Sequence, residues 1–219
     1  MNIYSLNPEI VEESAPVLLG RKERHRLLRK TDIIRAAEHV FALKGFYKAT
    51  IQDIARQAQY ATGTVYLYFV DKNSLYFSIV EEKIRGLLHI LRLRTSQAKG
   101  AAREKLEIFI YESLRFFEKD QDFFRIFVQE ENRWLVRSRL AKSAIAQKRK
   151  DFSIGLIKEA QVEGVIRKDT ETRQICEILE SIISSFIFSW WQEGPQQARD
   201  LKGITGIIVD LFFNGAKKR

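Results

Sequence analysis

The residues whose types and spacing suggest chemistry lie between positions 50 and 72, in the stretch TIQDIARQAQYATGTVYLYFVDK. Thr50 and Asp53 form a capping box ahead of an apolar run, and this pattern predicts that a helix begins there. A second short segment opens at Thr62, which resembles a helix cap, and Phe69 is predicted to anchor that segment to the core. Two short helices joined by a tight turn are typical of a helix-turn-helix, whose second helix fits the major groove of DNA. An ordinary helical hairpin with polar outer residues has the same spacing and remains the alternative.

Positive charge is concentrated around this motif. Residues 21–30 read RKERHRLLRK, in which Glu23 is the only acid. From residue 21 to residue 94 there are 15 Lys and Arg against 7 Asp and Glu, so this segment carries most of the formal net charge of +9. Each Lys or Arg that reaches a phosphate releases condensed counterions, which makes a polyanion the natural partner. We predict that residues 21–30 form a basic arm that follows the DNA backbone or enters the minor groove.

Residues 30–76 resemble the DNA-binding domain of the tetracycline-repressor (TetR) family of bacterial transcription regulators. The resemblance runs through IIRAAEHVFALKGF, TIQDIARQA, TGTVYLYF and DKNSL, and includes Gly45 after the first helix. Two positions depart from the family's pattern, because Gln59 stands where the family usually has Gly and Tyr60 stands where it has a small aliphatic residue. A Gln in a left-handed backbone conformation costs about 1 kcal/mol, so we expect either strain at this turn or a turn of another shape.

The resemblance implies a dimer that places two recognition helices in successive major grooves of a palindromic operator. It also implies that Thr50 and Lys72 hold phosphates, with Lys72 near a helix start that favours anions. Gln52 can pair with adenine, and Thr64 or Leu67 can pack on a thymine methyl. Tyr66 and Tyr68 are predicted to bind phosphates. The residues predicted to contact DNA are Thr50, Gln52, Thr62, Gly63, Thr64, Tyr66, Leu67, Tyr68 and Lys72.

Composition predicts an all-helical protein of about nine helices. A chain of 219 residues that is 45% hydrophobic can bury a substantial core, while three prolines and no two-residue alternation argue against strands. The single cysteine, Cys176, excludes an intrachain disulfide and is predicted to be a buried, inert thiol in a reducing cytosol. We recognise no signal peptide, and the longest apolar stretch, 182–191, is about half of a membrane span. We therefore expect a cytoplasmic, nucleoid-associated bacterial protein.

The chain divides into a mobile tail over 1–20, a helix-turn-helix domain over 21–70, a connecting helix over 71–94, and an effector-binding and dimerisation domain over 95–219. Gly45 is predicted to end the first helix, and Asp71 to cap the fourth. The predicted helices outside the helix-turn-helix are 29–44, 71–94, 103–118, 121–132, 134–163, one from Asp169 or Thr170 to Gln192, and 196–214.

The last two predicted helices carry more apolar surface than one buried face requires. The stretch ILESIISSFIFSWW is apolar around more than one side. A second copy of the chain is the simplest partner for that surplus, through a four-helix interface about a two-fold axis. The alternative is that this pair is the buried centre of a monomer. The predicted interface residues are Ile182, Phe186, Ile204, Ile208, Leu211 and Phe212.

The family's second domain usually holds a small molecule that changes the spacing of the DNA-binding heads. Aromatic residues at helical spacing supply a candidate pocket for an apolar ligand such as an acyl chain, a hydrophobic drug or an aromatic compound, although ordinary core packing explains the same residues. The predicted lining is Phe109, Phe116, Phe123, Phe127, Trp134, Phe152, Phe186 and Trp190.

Catalysis is not expected. His25, His39 and His89 are scattered, and the chain has no HExxH, CxxC or glycine-rich phosphate loop, so we expect neither a metal nor a cofactor. The function predicted is a sequence-specific DNA-binding transcriptional regulator, a repressor released from its operator by a small hydrophobic ligand. Two alternatives remain: a dimeric regulator without a small-molecule effector, and a non-specific architectural DNA binder.

Overall fold

The structure is a computed structural model, and it describes residues 20–130, 142–193 and 200–216. Every secondary-structure element in these ranges is a helix, which confirms the predicted all-α class. None of these helices is both long and apolar enough to cross a membrane. The nine helices of the described ranges are α1 (Arg21–Lys48), α2 (Ile51–Gln57), α3 (Thr62–Tyr68), α4 (Lys72–Ser96), α5 (Ala102–Lys119), α6 (Gln121–Glu130), α7 (Ala144–Val162), α8 (Thr172–Glu193) and α9 (Leu201–Ala216).

The chain separates into two compact units. The first unit comprises Met1–Val80 with Asp122–Glu130, and the second comprises Glu81–Gln121 with Glu131–Arg219. The division falls within α4, and nearly all of α6 belongs to the first unit. The helix predicted over 121–132 therefore lies, as far as it is described, with the helix-turn-helix.

The first unit is built on one face of α1 and an aromatic cluster. Ile33, Ala37 and Phe41 are almost fully buried, as their helical spacing predicts. The Phe46 ring lies 5.3 Å from that of Phe41 and 5.7 Å from that of Tyr76, measured between ring centroids. These edge and tilted contacts tie the end of α1 to α4.

The first helix is longer than predicted at both ends. It begins at Arg21, so the basic residues 21–30 form helical turns continuous with the core helix rather than a separate arm. At the other end Gly45 has φ of 75° and ψ of 155°, which breaks the helical path and produces a kink before the last turn. Glycine reaches this conformation without the steric cost that other residues meet.

Helix starts in the first unit follow local side-chain chemistry. The capping box of Thr50 and Asp53 is present and confirms the predicted start of α2. At α4, the Ser74 backbone N–H donates to Asp71 Oδ1 at 2.7 Å, which confirms Asp71 as the cap. The cap predicted at Thr62 is wrong, because Ala61 precedes the helix and Thr62 is its first residue.

Helix starts in the second unit differ more from prediction. Neither Asp169 nor Thr170 caps α8, because Asp169 instead forms a bidentate pair with Arg167. For the segment predicted over 134–163, residues 134–141 lie outside the described ranges, and α7 begins after its cap Ser143. For the segment predicted over 196–214, residues 196–199 lie outside the described ranges, and α9 begins at Leu201, preceded by Asp200.

The second unit packs α5 against α7, α8 and α9, and packs α8 against α7 and α9. Its core includes Leu106, Phe109 and Ile157. Cys176 is buried on α8, its thiol donates to Ser153 Oγ at 3.4 Å, and burial raises its pKa. The predicted burial is confirmed, and the raised pKa favours the protonated thiol, as expected of an inert cysteine.

Candidate nucleic-acid interface

The short helix α3 has a buried anchor and an exposed outer face. Val65 is fully buried and Phe69 nearly so, which confirms the predicted anchor at the end of the segment. On the outer face, 52% of Tyr66 and 81% of Leu67 remain exposed. A leucine this exposed on a helix held by its opposite side is suited to contact another molecule.

Gly63 adds space to this outer face. It is exposed, and a Cβ built on its backbone would meet no atom within 4 Å. Nothing inside the chain therefore requires glycine in this helix, where glycine costs about 1 kcal/mol relative to alanine. The missing side chain instead lets the backbone of α3 approach an external surface closely. Its neighbours Thr62 and Thr64 are half-buried, as is Tyr68 at the end of α3.

The turn before α3 adopts the left-handed conformation that its sequence makes costly. Gln59 has φ of 58°, and the Gln59 and Tyr60 N–H groups donate to the carbonyls of Arg56 and Ala55, which is the pattern of a Schellman motif. Tyr60 also reaches back to α1, where its hydroxyl donates to Asp32 at 3.0 Å. Burial raises the pKa of Tyr60, and the bond to Asp32 adds to the rise. The long side chain thus fastens the turn to α1.

The start of α2 forms a closed polar group. Thr50 donates its hydroxyl to Asp53 Oδ2 at 2.9 Å and accepts from the Asp53 N–H at 3.1 Å. Lys44 lies 2.7 Å from Asp53 Oδ1. The bond from Lys44, followed by those from Thr50, lowers the pKa of Asp53 to about 2. Since the Thr50 backbone N–H also donates to Asp53, both donors of Thr50 are used within the unit, and its predicted phosphate contact requires one of them to be redirected.

Lys72 has a different environment from the one predicted. Its Nζ donates to the carbonyls of Phe46 at 2.5 Å, Ala49 at 2.9 Å and Tyr47 at 3.2 Å, and lies 4.5 Å from the centroid of the Phe46 ring. The kink at Gly45 leaves the last carbonyls of α1 without helical partners, and the ammonium satisfies them. Its three N–H donors are used in this way, which gives Lys72 a structural role, and its predicted phosphate contact requires one of them to be redirected.

Sequence reasoning missed one cation on α2. Arg56 lies four residues after Gln52, and both side chains are exposed. Residues four apart lie on the same side of a helix, so this spacing was the available signal. The basic residues of 21–30 are also all exposed, and none forms an ion pair with another described residue.

The aromatic residues predicted to line a ligand pocket do not form one set. Phe109, Phe116 and Trp190 are buried in the second unit, where Phe152 and Phe186 are half-buried. Phe123 and Phe127 lie on α6 in the first unit with ring centroids 5.8 Å apart, and Trp134 lies outside the described residues. A cavity of about 720 Å³ in the second unit is lined by none of them.

The residues predicted at a dimer interface are also divided. Ile208 and Phe212 are buried within the second unit, because α9 packs on α5 and α8. Ile182, Phe186 and Ile204 are half-buried, and Leu211 is 61% exposed. Sequence reasoning missed Ile178 and Ile207, which are about as exposed as Leu211. We define the outer apolar face of α8 and α9 as Ile178, Ile182, Ile207 and Leu211.

Sequence comparisons identify similar proteins. Residues 33–79 match the profile described as bacterial regulatory proteins, tetR family. Over 183 residues the chain is 24% identical to the fatty acid metabolism regulator protein of Bacillus subtilis (strain 168), covering 84% of this chain and 93% of that protein.

Solved structures share the fold along most of the chain. The fatty acid degradation regulator FadR from Bacillus halodurans matches with a TM-score of 0.78 at 22% identity, covering 87% of this chain and 97% of that one. FadR from Bacillus subtilis, solved in complex with stearoyl-CoA, matches with a TM-score of 0.76 at 24% identity, covering 84% and 98%. At these identities the likeness establishes the fold.

Proposed function

The chain belongs to the tetR family of bacterial regulatory proteins, and from that membership we propose a dimeric repressor that a small hydrophobic ligand releases from a palindromic operator. As a family member it is a DNA-binding transcriptional regulator and not an enzyme. The repressor acts in the bacterial cytoplasm. The observation that carries the proposal is the outer face of α3. Gly63, Tyr66 and Leu67 are exposed on this face, while Val65 is buried on the opposite side of the helix.

The groove contacts of this repressor are made by α3 together with α2. Gln52 and Arg56 are exposed on α2, and a Gln can pair with adenine while an Arg can pair with guanine or phosphate. Leu67 packs on a thymine methyl, and the Tyr66 hydroxyl binds a phosphate. The exposed basic residues in the helical turns at 21–30 add an attraction to the phosphate backbone of DNA that does not depend on base sequence.

Dimerisation uses the outer apolar face of α8 and α9. Ile207 and Leu211 lie four residues apart on α9, as Ile178 and Ile182 do on α8, so each pair forms one apolar stripe. Burying the two stripes against a second copy gives the self-complementary interface that two-fold symmetry requires. The resulting dimer presents two α3 helices to two half-sites.

The effector we propose is a long-chain acyl-CoA thioester. Support comes from the Bacillus subtilis FadR structure, which contains stearoyl-CoA, and from the aromatic residues of the second unit. A ligand of this kind releases DNA only if it binds one conformation of the dimer better than the other.

Selection of bound duplexes from random DNA tests the proposal. We expect a palindrome whose half-sites lie about 10 base pairs or a multiple of that apart, bound roughly a thousandfold better than random duplex at one salt concentration. Stearoyl-CoA should then lower operator affinity by about tenfold or more, and coenzyme A alone should not.

Two outcomes contradict parts of the proposal. Equal affinity for the selected site and for random duplex would indicate an architectural DNA binder. A palindrome whose affinity is unchanged by stearoyl-CoA, by free fatty acids and by hydrophobic drugs would indicate a regulator without a small-molecule effector.

A further inference from the structure

We propose that the second unit contains a binding site for a small organic anion, separate from the aromatic residues expected to hold a hydrophobic effector. The site is the cavity of about 720 Å³ between the end of α4, one side of α5 and the first half of α9. This volume lies within the range of small-molecule sites. We call it the α4–α5–α9 cavity, and its lining includes Arg94, Tyr111, Glu112, Lys202 and Thr205.

The basic side chains of this cavity have unused donors. Arg94 is half-exposed, and its closest acidic atom, Glu112 Oε1, lies 3.6 Å from Nε, beyond hydrogen-bond distance. Lys202 is exposed and makes no hydrogen bond or ion pair to any described residue. The Tyr111 hydroxyl has no partner in the described ranges either. Arg94 is thus ion-paired with Glu112 without a hydrogen bond, while Lys202 and the Tyr111 hydroxyl have no acceptor among the described residues.

The acidic side chains of the cavity, in contrast, already have partners. Glu112 is only 6% exposed and accepts from Arg115 at 3.1 Å. Glu104 accepts from the Gly100 N–H at 2.6 Å, and Glu107 accepts from Arg103 at 3.1 Å. Arg115, the third basic residue of the lining, is used by Glu112. Because each carboxylate already accepts a hydrogen bond while Arg94 and Lys202 keep N–H donors without one, the cavity favours a ligand that supplies acceptors to these two cations.

A buried hydroxyl gives an independent indication of a missing acceptor. Thr205 lines the cavity at 8% exposure, and its Oγ1 is buried without a hydrogen-bond partner among the described residues. A buried polar group left unpaired is destabilising, and it persists where a ligand or another role compensates. Rotation about the Cα–Cβ bond reorients this hydroxyl, and a ligand in the cavity that Thr205 lines supplies the missing acceptor.

Part of the remaining wall is apolar. Ile108 and Val209 lie on facing helices, and Gly206 leaves open space where a Cβ would meet no atom within 4 Å. The ligand class is therefore an anion, a carboxylate or a phosphate monoester, that also carries a short apolar part. Arg94 and Lys202 bind the oxyanion, Tyr111 and Thr205 donate to it, and the apolar part packs on Ile108 and Val209.

Calorimetric titration of the full chain with octanoate, octyl phosphate, inorganic phosphate and 1-octanol tests this site. We expect saturable binding of octanoate or octyl phosphate. Inorganic phosphate, which lacks the apolar part, and 1-octanol, which lacks the negative charge, should each bind at least about tenfold more weakly. The relative affinity of octanoate and octyl phosphate distinguishes a carboxylate site from a phosphate site.

Substitutions assign the binding to this cavity. Arg94→Gln and Lys202→Gln should each weaken the better anion by about tenfold. Arg92→Gln on α4 and Lys148→Gln on α7 replace exposed cations elsewhere and should leave the anion affinity unchanged. Thr205→Val should raise the melting temperature of the free protein and still weaken the anion, a combination that a purely structural threonine does not produce.

Two results would overturn the site. One is the absence of saturable binding by either amphiphilic anion at about 10 mM, the limit of useful affinity for a small ligand. The other is binding that survives the combined Arg94→Gln and Lys202→Gln substitutions. Neither result bears on the repressor proposal, whose failure would appear in the operator selection with the unmodified chain.

Discussion

The two units differ in which side chains remain available to a partner. In the first unit, the polar residues Thr50 and Lys72 are engaged inside the chain, while Gly63 and Leu67 are open. In the second unit, the apolar Phe212 is engaged inside the chain, while polar groups of the α4–α5–α9 cavity are open. Residue type alone thus gives a poor guide to function, because a side chain that is already satisfied has little to offer a ligand.

The largest expected effect tests the structural role of Lys72. Lys72→Gln should lower the free energy of unfolding by about 2–3 kcal/mol, because three carbonyls lose a charged donor. The exposed Lys48→Gln is the control and should change it by less than about 0.5 kcal/mol. Urea unfolding measures both, together with hydrogen exchange of the α1 and α4 amides.

A different result for Lys72 would reverse our interpretation. If stability were unchanged and the slope of log affinity against log salt fell by about 1, Lys72 would be a phosphate ligand after all. Lys72 would then no longer show that polar side chains of the first unit are bonded within the chain and unavailable to DNA.

Gly63 tests whether the outer face of α3 approaches DNA closely. Gly63→Ala should stabilise the protein by up to about 1 kcal/mol, because a Cβ fits and alanine favours helix. The same methyl group should lower operator affinity by about tenfold if the backbone lies against the groove. Gly155→Ala on α7 is the matched control, since its Cβ is equally unobstructed and should leave operator affinity unchanged. Unaltered affinity in Gly63→Ala would argue against close contact.

Gln59 tests the cost of the turn between α2 and α3. Gln59→Gly should raise the free energy of unfolding by about 1 kcal/mol, because glycine adopts φ of 58° without the Cβ penalty. Gln57→Gly, at the last residue of α2, should lower it instead, by less than the roughly 1 kcal/mol that glycine costs inside a helix. Thermal and urea unfolding of the two variants give the sign in each case. Two shifts of the same sign would mean that the turn is not strained.

Acid titration compares one carboxylate in each unit. Asp53 and Asp169 both have pKa values of about 2, lowered mainly by Lys44 and by Arg167 respectively. A carboxylate whose pKa is lower folded than unfolded stabilises the protein fully above its unfolded pKa of 3.8 and loses that contribution as pH falls toward 2. Between about pH 4 and pH 2, Asp53→Asn should therefore make the stability of the first unit less dependent on pH. Asp169→Asn should do the same for the second unit. NMR signals from each unit, recorded during acid titration, measure the two effects separately.

If neither substitution changed the pH dependence between about pH 4 and pH 2, these exposed pairs would be too well screened by solvent to matter. That outcome would leave the geometry of the two pairs intact and remove their role in acid stability.

Local sequence patterns predicted much of the first unit. The Thr50–Asp53 box and the Asp71 cap each depend on a partner three residues away, and each is present. The sequence left two alternatives at Gln59, a strained left-handed turn or a turn of another shape, and the structure has the left-handed conformation. Such features are readable because the partners of each group are set by covalent proximity.

The sequence by itself determined an all-helical, cationic chain, since helical periodicity, caps and charge are properties of nearby residues, and its resemblance to the tetR family indicated a DNA-binding regulator. Only the tertiary structure decided that Lys72 satisfies carbonyls more than twenty residues away, and which sides of α8 and α9 stay exposed. It also brought Arg94, Tyr111 and Thr205 to one cavity from three helices. Such meetings depend on how helices pack, and no pattern confined to a single helix contains that information.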